Sequence, residues 1–425
     1  MKRGRGNGGR LIYLTDVDIS VDNGPGINER EFVRCILDTY GKQVTCMVPE
    51  PACAENYYDS RIRYIRRHAR WKAVGHCKYV ADSLVELLGK GGRKGEALIA
   101  RPTIMGIEPI IFHYIRRRPV FIKKLGGYAI FGKSGRDWRR DLGARVLLSI
   151  HRHMASAAAI CDVESETYLE WVAWRYGIPK DKLFVVRNGA NTETFKPMDP
   201  GEAGRAVGLN VCHPLVGYTG ALRDLRNIEM LIESVRVLNS TRRVYCMIVG
   251  DGPQRAELKR LACRAGLEKE VIFTGSVSYA EVPKYIALFD VAVDLTVVPL
   301  SIGGGVRYAS FSQKIAQYLA CGKPVVAWDI ADNKFIEENS LGALAEPLRI
   351  ESLCRAMTKV MHGEFEDSAV VGEKARAYAT EHLSVARVTE RRIREWMSIL
   401  GNESIDRTKG FTNSRFTQLG SEGRR

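Results

Sequence analysis

Short runs of consecutive apolar residues alternate with stretches of helical period along most of the chain. Leu11–Leu14, Gln43–Val48, Glu96–Ala100, Val120–Ile122, Ala157–Val163 and Leu183–Val186 read as strands, with helices at Asn28–Tyr40 and Tyr168–Tyr176. Strands that are apolar throughout, and separated by helices, belong to a parallel sheet covered on both faces. The second half repeats the plan. Leu215–Tyr218, Val244–Val249, Val271–Phe273, Val291–Leu295 and Val325–Ala327 read as strands. Asn227–Leu238, Gln254–Ala265, a segment ending at Phe289, and Gln313–Ala320 read as helices. Ser278 and Glu281 match a capping box, in which each side chain satisfies a free backbone donor of the other.

The pattern predicts an α/β protein with two doubly wound, Rossmann-like domains. Pro197, Pro200, Gly201 and Gly204 place the join in 196–213. The domains are then 1–197 and 198–382, followed by a helix over 383–400 with Ile393 and Trp396 on one face. Residues 401–425 are polar and aperiodic and read as a disordered tail.

The chain has 425 residues and a formal net charge of +15. Residues 1–197 hold 34 Lys and Arg against 21 Asp and Glu, whereas 198–425 hold 30 against 28. The first half therefore carries nearly all the excess, which suits an anionic partner. Arg61 to Lys72 contains six basic residues and no acid, interleaved with Ile, Tyr and Trp. It reads as a surface helix, either against an anionic membrane or simply solvated, reinforced by Arg116–Arg118, Lys123, Lys124 and Arg136–Arg140. No nucleic-acid motif accompanies the charge. The ten cysteines form no CxxC pair and several lie in apolar runs, as free thiols do in a reducing compartment. With no secretory signal and no apolar stretch of about 18 residues, the expected location is the cytoplasm, with peripheral attachment to the inner face of the plasma membrane.

Candidate chemistry lies in Gly-rich loops after strands, since open parallel sheets bind ligands at strand carboxyl ends. Gly24 and Gly26 sit in Asp22-Asn23-Gly24-Pro25-Gly26 at a helix start, where an anion is favoured. Gly220 follows a strand and precedes Arg223 and Arg226, whose planar guanidinium groups suit phosphate. Asp251 and Gly252 end the next strand, and Val277 follows another. Gly303, Gly304 and Gly305 could expose N–H groups as an anion nest beside Arg307. Lys314 and Gln317 share one helix face. Asp16-Val17-Asp18 has a metal-binding spacing, but a metal is not expected. His113, His151 and His153 read as structural or surface residues.

Four segments occur in fixed order: Arg187-Asn188-Gly189-Ala190-Asn191-Thr192-Glu193-Thr194-Phe195-Lys196-Pro197, Ile248-Val249-Gly250-Asp251-Gly252-Pro253, Phe273-Thr274-Gly275-Ser276-Val277 and Lys314–Ala327. The series resembles retaining glycosyltransferases of family 4, which have the two-domain GT-B fold, over about residues 157–362. The resemblance implies two domains facing each other across a cleft, a nucleotide-sugar donor on the second and a glycan or lipid-linked acceptor on the first. It implies no metal cofactor, and a role in surface polysaccharide or glycolipid synthesis. The family's Arg and Lys on the donor diphosphate fall at Ala221 and Arg226, and its paired glutamates at Ala309 and Gln317. Arg226 and Lys314 are then the catalytic candidates. Gly24, Gly26, Gly220, Arg223, Asp251, Val277, Gly304, Gly305, Arg307 and Gln317 are the donor-binding ones. Lys123 or Lys124 would stand where the family often has a His against the donor sugar. Two other readings use the same fold: a sugar-nucleotide epimerase, and a degenerate sugar-nucleotide-binding protein.

Overall fold

The computed structural model describes residues 11–52, 58–66, 72–89, 97–103, 105–126, 142–310, 312–362 and 368–400. They form two compact units. The first holds the described residues up to Val163, Tyr176–Phe184 and those from Thr389; the second holds Glu164–Arg175 and Val185–Val388.

In the first unit, β1 (Leu11–Leu14), β2 (Val44–Pro49), β3 (Ile62–Ile65), β4 (Ala97–Ala100), β5 (Val120–Ile122), β6 (Ile160–Val163) and β7 (Leu183–Val185) make one sheet in the order β3-β2-β1-β4-β5-β6-β7. β1 pairs in parallel with both β2 and β4. Every residue of β1, β4 and β5 is buried, which is why these strands are apolar runs rather than alternating ones. Tyr13, Phe32, Ile99 and Phe121 share a core with Ile393 and Trp396 of the last helix, Val385–Leu400. The Phe121 and Trp396 rings stack 6.0 Å apart.

In the second unit, β8 (Leu215–Thr219), β9 (Tyr245–Val249), β10 (Val271–Gly275), β11 (Val291–Asp294), β14 (Val325–Trp328) and β15 (Gly342–Ala345) form a parallel sheet in the order β10-β9-β8-β11-β14-β15. Strands β12 (Val298–Ile302) and β13 (Gly305–Ala309) pair separately as an antiparallel hairpin. From β8 the chain runs outward through β9 and β10, then returns to the other side of β8 for β11. The order reverses between β8 and β11, and in the first unit between β1 and β4. These are the switch points where open sheets leave a crevice.

Several expectations change. The basic segment Arg61–Lys72 is not one surface helix. Ile62–Ile65 is an edge strand with alternating exposure, residues 67–71 lie outside the described residues, and a helix runs over Lys72–Leu88. Its arginines are ion-paired: Arg61 with Asp59, two residues before it, and with the distant Asp38, and Arg63 with the distant Glu86. A local charge run cannot show such partners. Arg136–Arg140 and the tail 401–425 also lie outside the described residues.

The Pro and Gly cluster at 197–204 is inside the second unit. It starts a helix, Pro200–Val207, capped by Asp199 with Pro200 in its first turn and closed by Gly208 at φ 68°. At the predicted capping box, the Ser278 hydroxyl donates to the Glu281 carboxylate at 3.0 Å, and the helix begins later, at Val282. All nine described cysteines are free. Among the described residues no helix is long and apolar enough to cross a membrane.

Candidate functional site

At the β8–β11 switch point three segments converge. Thr219 ends β8 and Gly220 follows at φ 136°. A Cβ on Gly220 would stand 3.3 Å from the Lys314 Cδ, so glycine lets the lysine stem lie against the loop backbone. Arg226 sits between two left-handed residues, Leu225 (φ 67°) and Asn227 (φ 52°). The Asn227 amide donates to the Leu295 carbonyl at 2.7 Å and fixes this turn to the end of β11. Arg226 then donates to the Thr296 hydroxyl at 3.1 Å.

Lys314 enters from the first turn of the helix Gln313–Ala320, which Ser312 caps. Its Nζ lies 3.1 Å from Asp294 Oδ1, from Thr296 Oγ1 and from Ser312 Oγ. Thr296 in turn donates to Asp294 at 2.6 Å. Two cations thus share one hydroxyl over one buried carboxylate. Burial opposes ionisation of Asp294, but Lys314, Ser312, Thr296 and Arg226 outweigh it and hold its pKa below the usual carboxylate value. Burial pushes the Lys314 ammonium down to about 8, with Asp294 resisting and Arg226 assisting the shift.

The neighbouring loops are joined through backbone. Gly220 donates to the Val249 carbonyl, and Gly250 to the Gly275 carbonyl, at 2.8 and 2.9 Å. A Cβ on Gly250 would fall 2.0 Å from the Gly220 oxygen.

The predicted residues divide clearly. Arg226, Lys314 and Gly220 come together, and Gln317 is buried on the same helix as Lys314. Arg223 stays exposed. Asp251 accepts from Arg255 at 3.2 Å and from the Gly252 N–H at 2.7 Å. Val277 packs at the edge of a core. The 303–305 glycines do not form a nest after a parallel strand. Gly303 (φ 59°) and Gly304 (φ 87°) are the two-residue turn of the β12–β13 hairpin, whose right-handed twist asks for positive φ at both positions. Arg307 lies on that hairpin and pairs with Glu170. Ala309 ends β13, fully buried. The contributions of Asp294, Thr296 and Ser312 were not singled out from the sequence; the polar pair in Val293-Asp294-Leu295-Thr296, ending an apolar strand, is the signal for two of them.

The first unit has its own polar cluster at the β1–β4 switch point. Glu29, fully buried, takes the Tyr13 hydroxyl, the Arg101 guanidinium and the Lys123 ammonium. Burial opposes its charge, yet Lys123 and Arg101 hold its pKa far below the usual value. Lys123 directly follows β5, but it is committed to Glu29 and lies 4.3 Å from the Phe32 ring centre. Lys124 follows at φ 55°. The Gly26 N–H, expected to face an anion, donates to the Asn23 cap at 2.9 Å, and a Cβ there would meet the Val21 carbonyl at 2.3 Å. Gly24 has open space around it. Asp18 is spent on Ser20 and the Ala52 N–H, while burial raises Asp16. Among the described residues no group of three or more His, Cys, Asp or Glu could hold a metal. His113 meets the Arg118 carbonyl, His151 is buried, and His153 stacks on Tyr114.

Comparison with known proteins places this arrangement. Residues 213–362 match the family model for glycosyl transferases group 1. The alpha-D-kanosaminyltransferase of Streptomyces kanamyceticus is 29% identical over 150 residues, covering 35% of this chain and 36% of that protein. The lipopolysaccharide core biosynthesis mannosyltransferase LpsB of Rhizobium meliloti is 30% identical over 153 residues, covering 34% and 40%. The chain thus spans less than half the length of these curated relatives. Among solved structures, Anabaena HepE in complex with UDP superposes with a TM-score of 0.69 at 18% identity, covering 92% of this chain and 99% of that one. Sucrose-phosphate synthase of Thermosynechococcus elongatus gives 0.70 at 15%, covering 92% and 99%. The switch-point cluster lies inside the segment that matches the model for glycosyl transferases group 1, and the chain has the GT-B fold.

Proposed function

We propose that this chain transfers a sugar from a nucleotide-sugar donor to a glycan or lipid-linked acceptor, with retention at the anomeric carbon. One observation carries the reading: Arg226 and Lys314 converge on Thr296 at the crevice between β8 and β11. Breaking the sugar–phosphate bond leaves new negative charge on the diphosphate. Two fixed cations aimed at that charge lower the barrier, because they need no reorganisation as the bond breaks. Asp294 and Ser312 hold Lys314 in place until the diphosphate arrives. Gln317, neutral and on the same helix, is suited to a ribose hydroxyl. The cations supply the charge stabilisation, so the reaction runs without a metal. A uridine nucleotide is the first donor to try, given the UDP in the Anabaena structure. Lipopolysaccharide synthesis by the Rhizobium relative favours a surface glycan as product.

The test is a thermal-shift screen with uridine, guanosine and adenosine diphosphates and their sugars, followed by donor hydrolysis and transfer assays. A ligand at about 100 times its Kd should add about 2.7 kcal/mol of stability. Arg226→Met or Lys314→Met should lower kcat by roughly 10²–10³. If no nucleoside diphosphate stabilises the chain, the reading fails. Binding with neither transfer nor hydrolysis would favour the degenerate alternative, and a changed sugar without acceptor would favour the epimerase.

A further inference from the structure

The second unit has another concavity on the opposite edge of its sheet. Pro214 precedes β8, Asp290 precedes β11, Pro324 precedes β14, and Gly342 begins β15. These four strands are consecutive neighbours in the sheet, so their amino ends form one continuous floor. A cavity of about 500 Å3 opens there. That size falls within the range of small-molecule sites. Its walls carry Phe289, Val360, Met361 and Val371, and its polar groups include Arg242, Lys323, His213 and Asp290.

The charges are unevenly matched. Asp290 is already engaged: one of its oxygens takes His213 Nδ1 and the Leu215 N–H, both at 2.7 Å. Lys323 is half-buried and donates to the Ala287 carbonyl at 2.7 Å. Arg242 meets the ring nitrogen of His362 at 2.9 Å, a neutral partner in that role. Neither cation is ion-paired among the described residues. Burial lowers the Lys323 pKa, with Asp290 opposing the shift, so its charge is under-compensated where it stands.

From two cations without an ion pair over an apolar wall, we propose that this amino-edge cavity binds a small organic phosphate as its dianion. Arg242 offers a planar fork of donors and Lys323 a point charge. Phe289, Val360 and Met361 would face the organic portion. The site is separate from the β8–β11 cluster, and the inference does not depend on the nucleotide-sugar reading.

Titration of the full chain with phenyl phosphate, monitored by calorimetry, tests it. One saturable event with a Kd below about 1 mM is expected. Inorganic phosphate should bind more weakly, having no apolar body. Arg242→Met and Lys323→Met should each weaken binding about tenfold, the loss of one charge-assisted contact. Arg243→Met, one residue away and directed to Glu270, should change nothing. Lys314→Met should also leave this event intact. Absence of saturable binding overturns the proposal. So does binding that survives Arg242→Met but is lost in Lys314→Met, which would mean that the carboxyl-edge cluster took the ligand. Equal affinity for benzoate would refute the dianion assignment. Arg242 is exposed, so its variant keeps the test open even if Lys323→Met does not fold.

Discussion

Lys314 shows how one side chain can be both committed and available. Its three partners at 3.1 Å satisfy its donors without a ligand. Its folded pKa, about 8, lies below the ordinary lysine value because burial outweighs Asp294. A lysine depressed in this way is fully charged below about pH 7, and its charge is lost as pH rises through 8. Diphosphate binding should therefore weaken between pH 7 and 9. Asp294→Asn removes the group that supports the charge and should move the midpoint of that decline to lower pH, while Thr296→Val should not move it as far. Diphosphate titrations at several pH values check this; an unchanged midpoint in Asp294→Asn would show that the carboxylate does not set the lysine. In the first unit, Glu29→Gln would leave Lys123 buried beside Arg101 without a counter-ion. A loss of about 3–5 kcal/mol is expected in urea unfolding, with Tyr13→Phe costing much less.

At the scale of elements, two glycines that both have positive φ should behave differently. Gly304 (φ 87°) has open space where a Cβ would stand, whereas Gly250 (φ 141°) has the Gly220 oxygen 2.0 Å away. Gly304→Ala should cost about 1 kcal/mol of backbone strain. Gly250→Ala adds a clash that only movement of the β8 loop relieves, so about 3 kcal/mol or more and weaker diphosphate binding are expected. Comparative unfolding midpoints decide the matter. The same elements explain what could be read from the sequence. Fully buried parallel strands announce themselves as apolar runs, so Leu11–Leu14 and Val120–Ile122 matched residue for residue. The β12–β13 hairpin did not, because β12 alternates in exposure and contains a proline, and its Gly-Gly turn resembles a ligand loop. Strand β3 was hidden by the exposed Arg63 within it and by the arginines that flank it. Of the cluster, the cations stood out in the motifs. Asp294 and Thr296 did not, since their importance comes from Lys314, some twenty residues away in sequence.

For the whole molecule, the two units are not two halves of the sequence. The first takes in the described residues up to Val163 and closes its core with Ile393 and Trp396. Trp396 is fully buried against Phe32 and Phe121. Trp396→Ala should therefore cost about 3–5 kcal/mol, lost from the first unit although the residue is near the end of the chain. Protease sensitivity that rises in the first unit and not in the second would report it. The same feature orders events at the ribosome. Every residue of the second unit has been made by Val388, whereas the core begun at Leu11 lacks two members until the final turns of the last helix emerge. The part synthesised first is thus the part completed last, and chains truncated after Val388 and released from the ribosome should already resist protease in the second unit while the first is still cut.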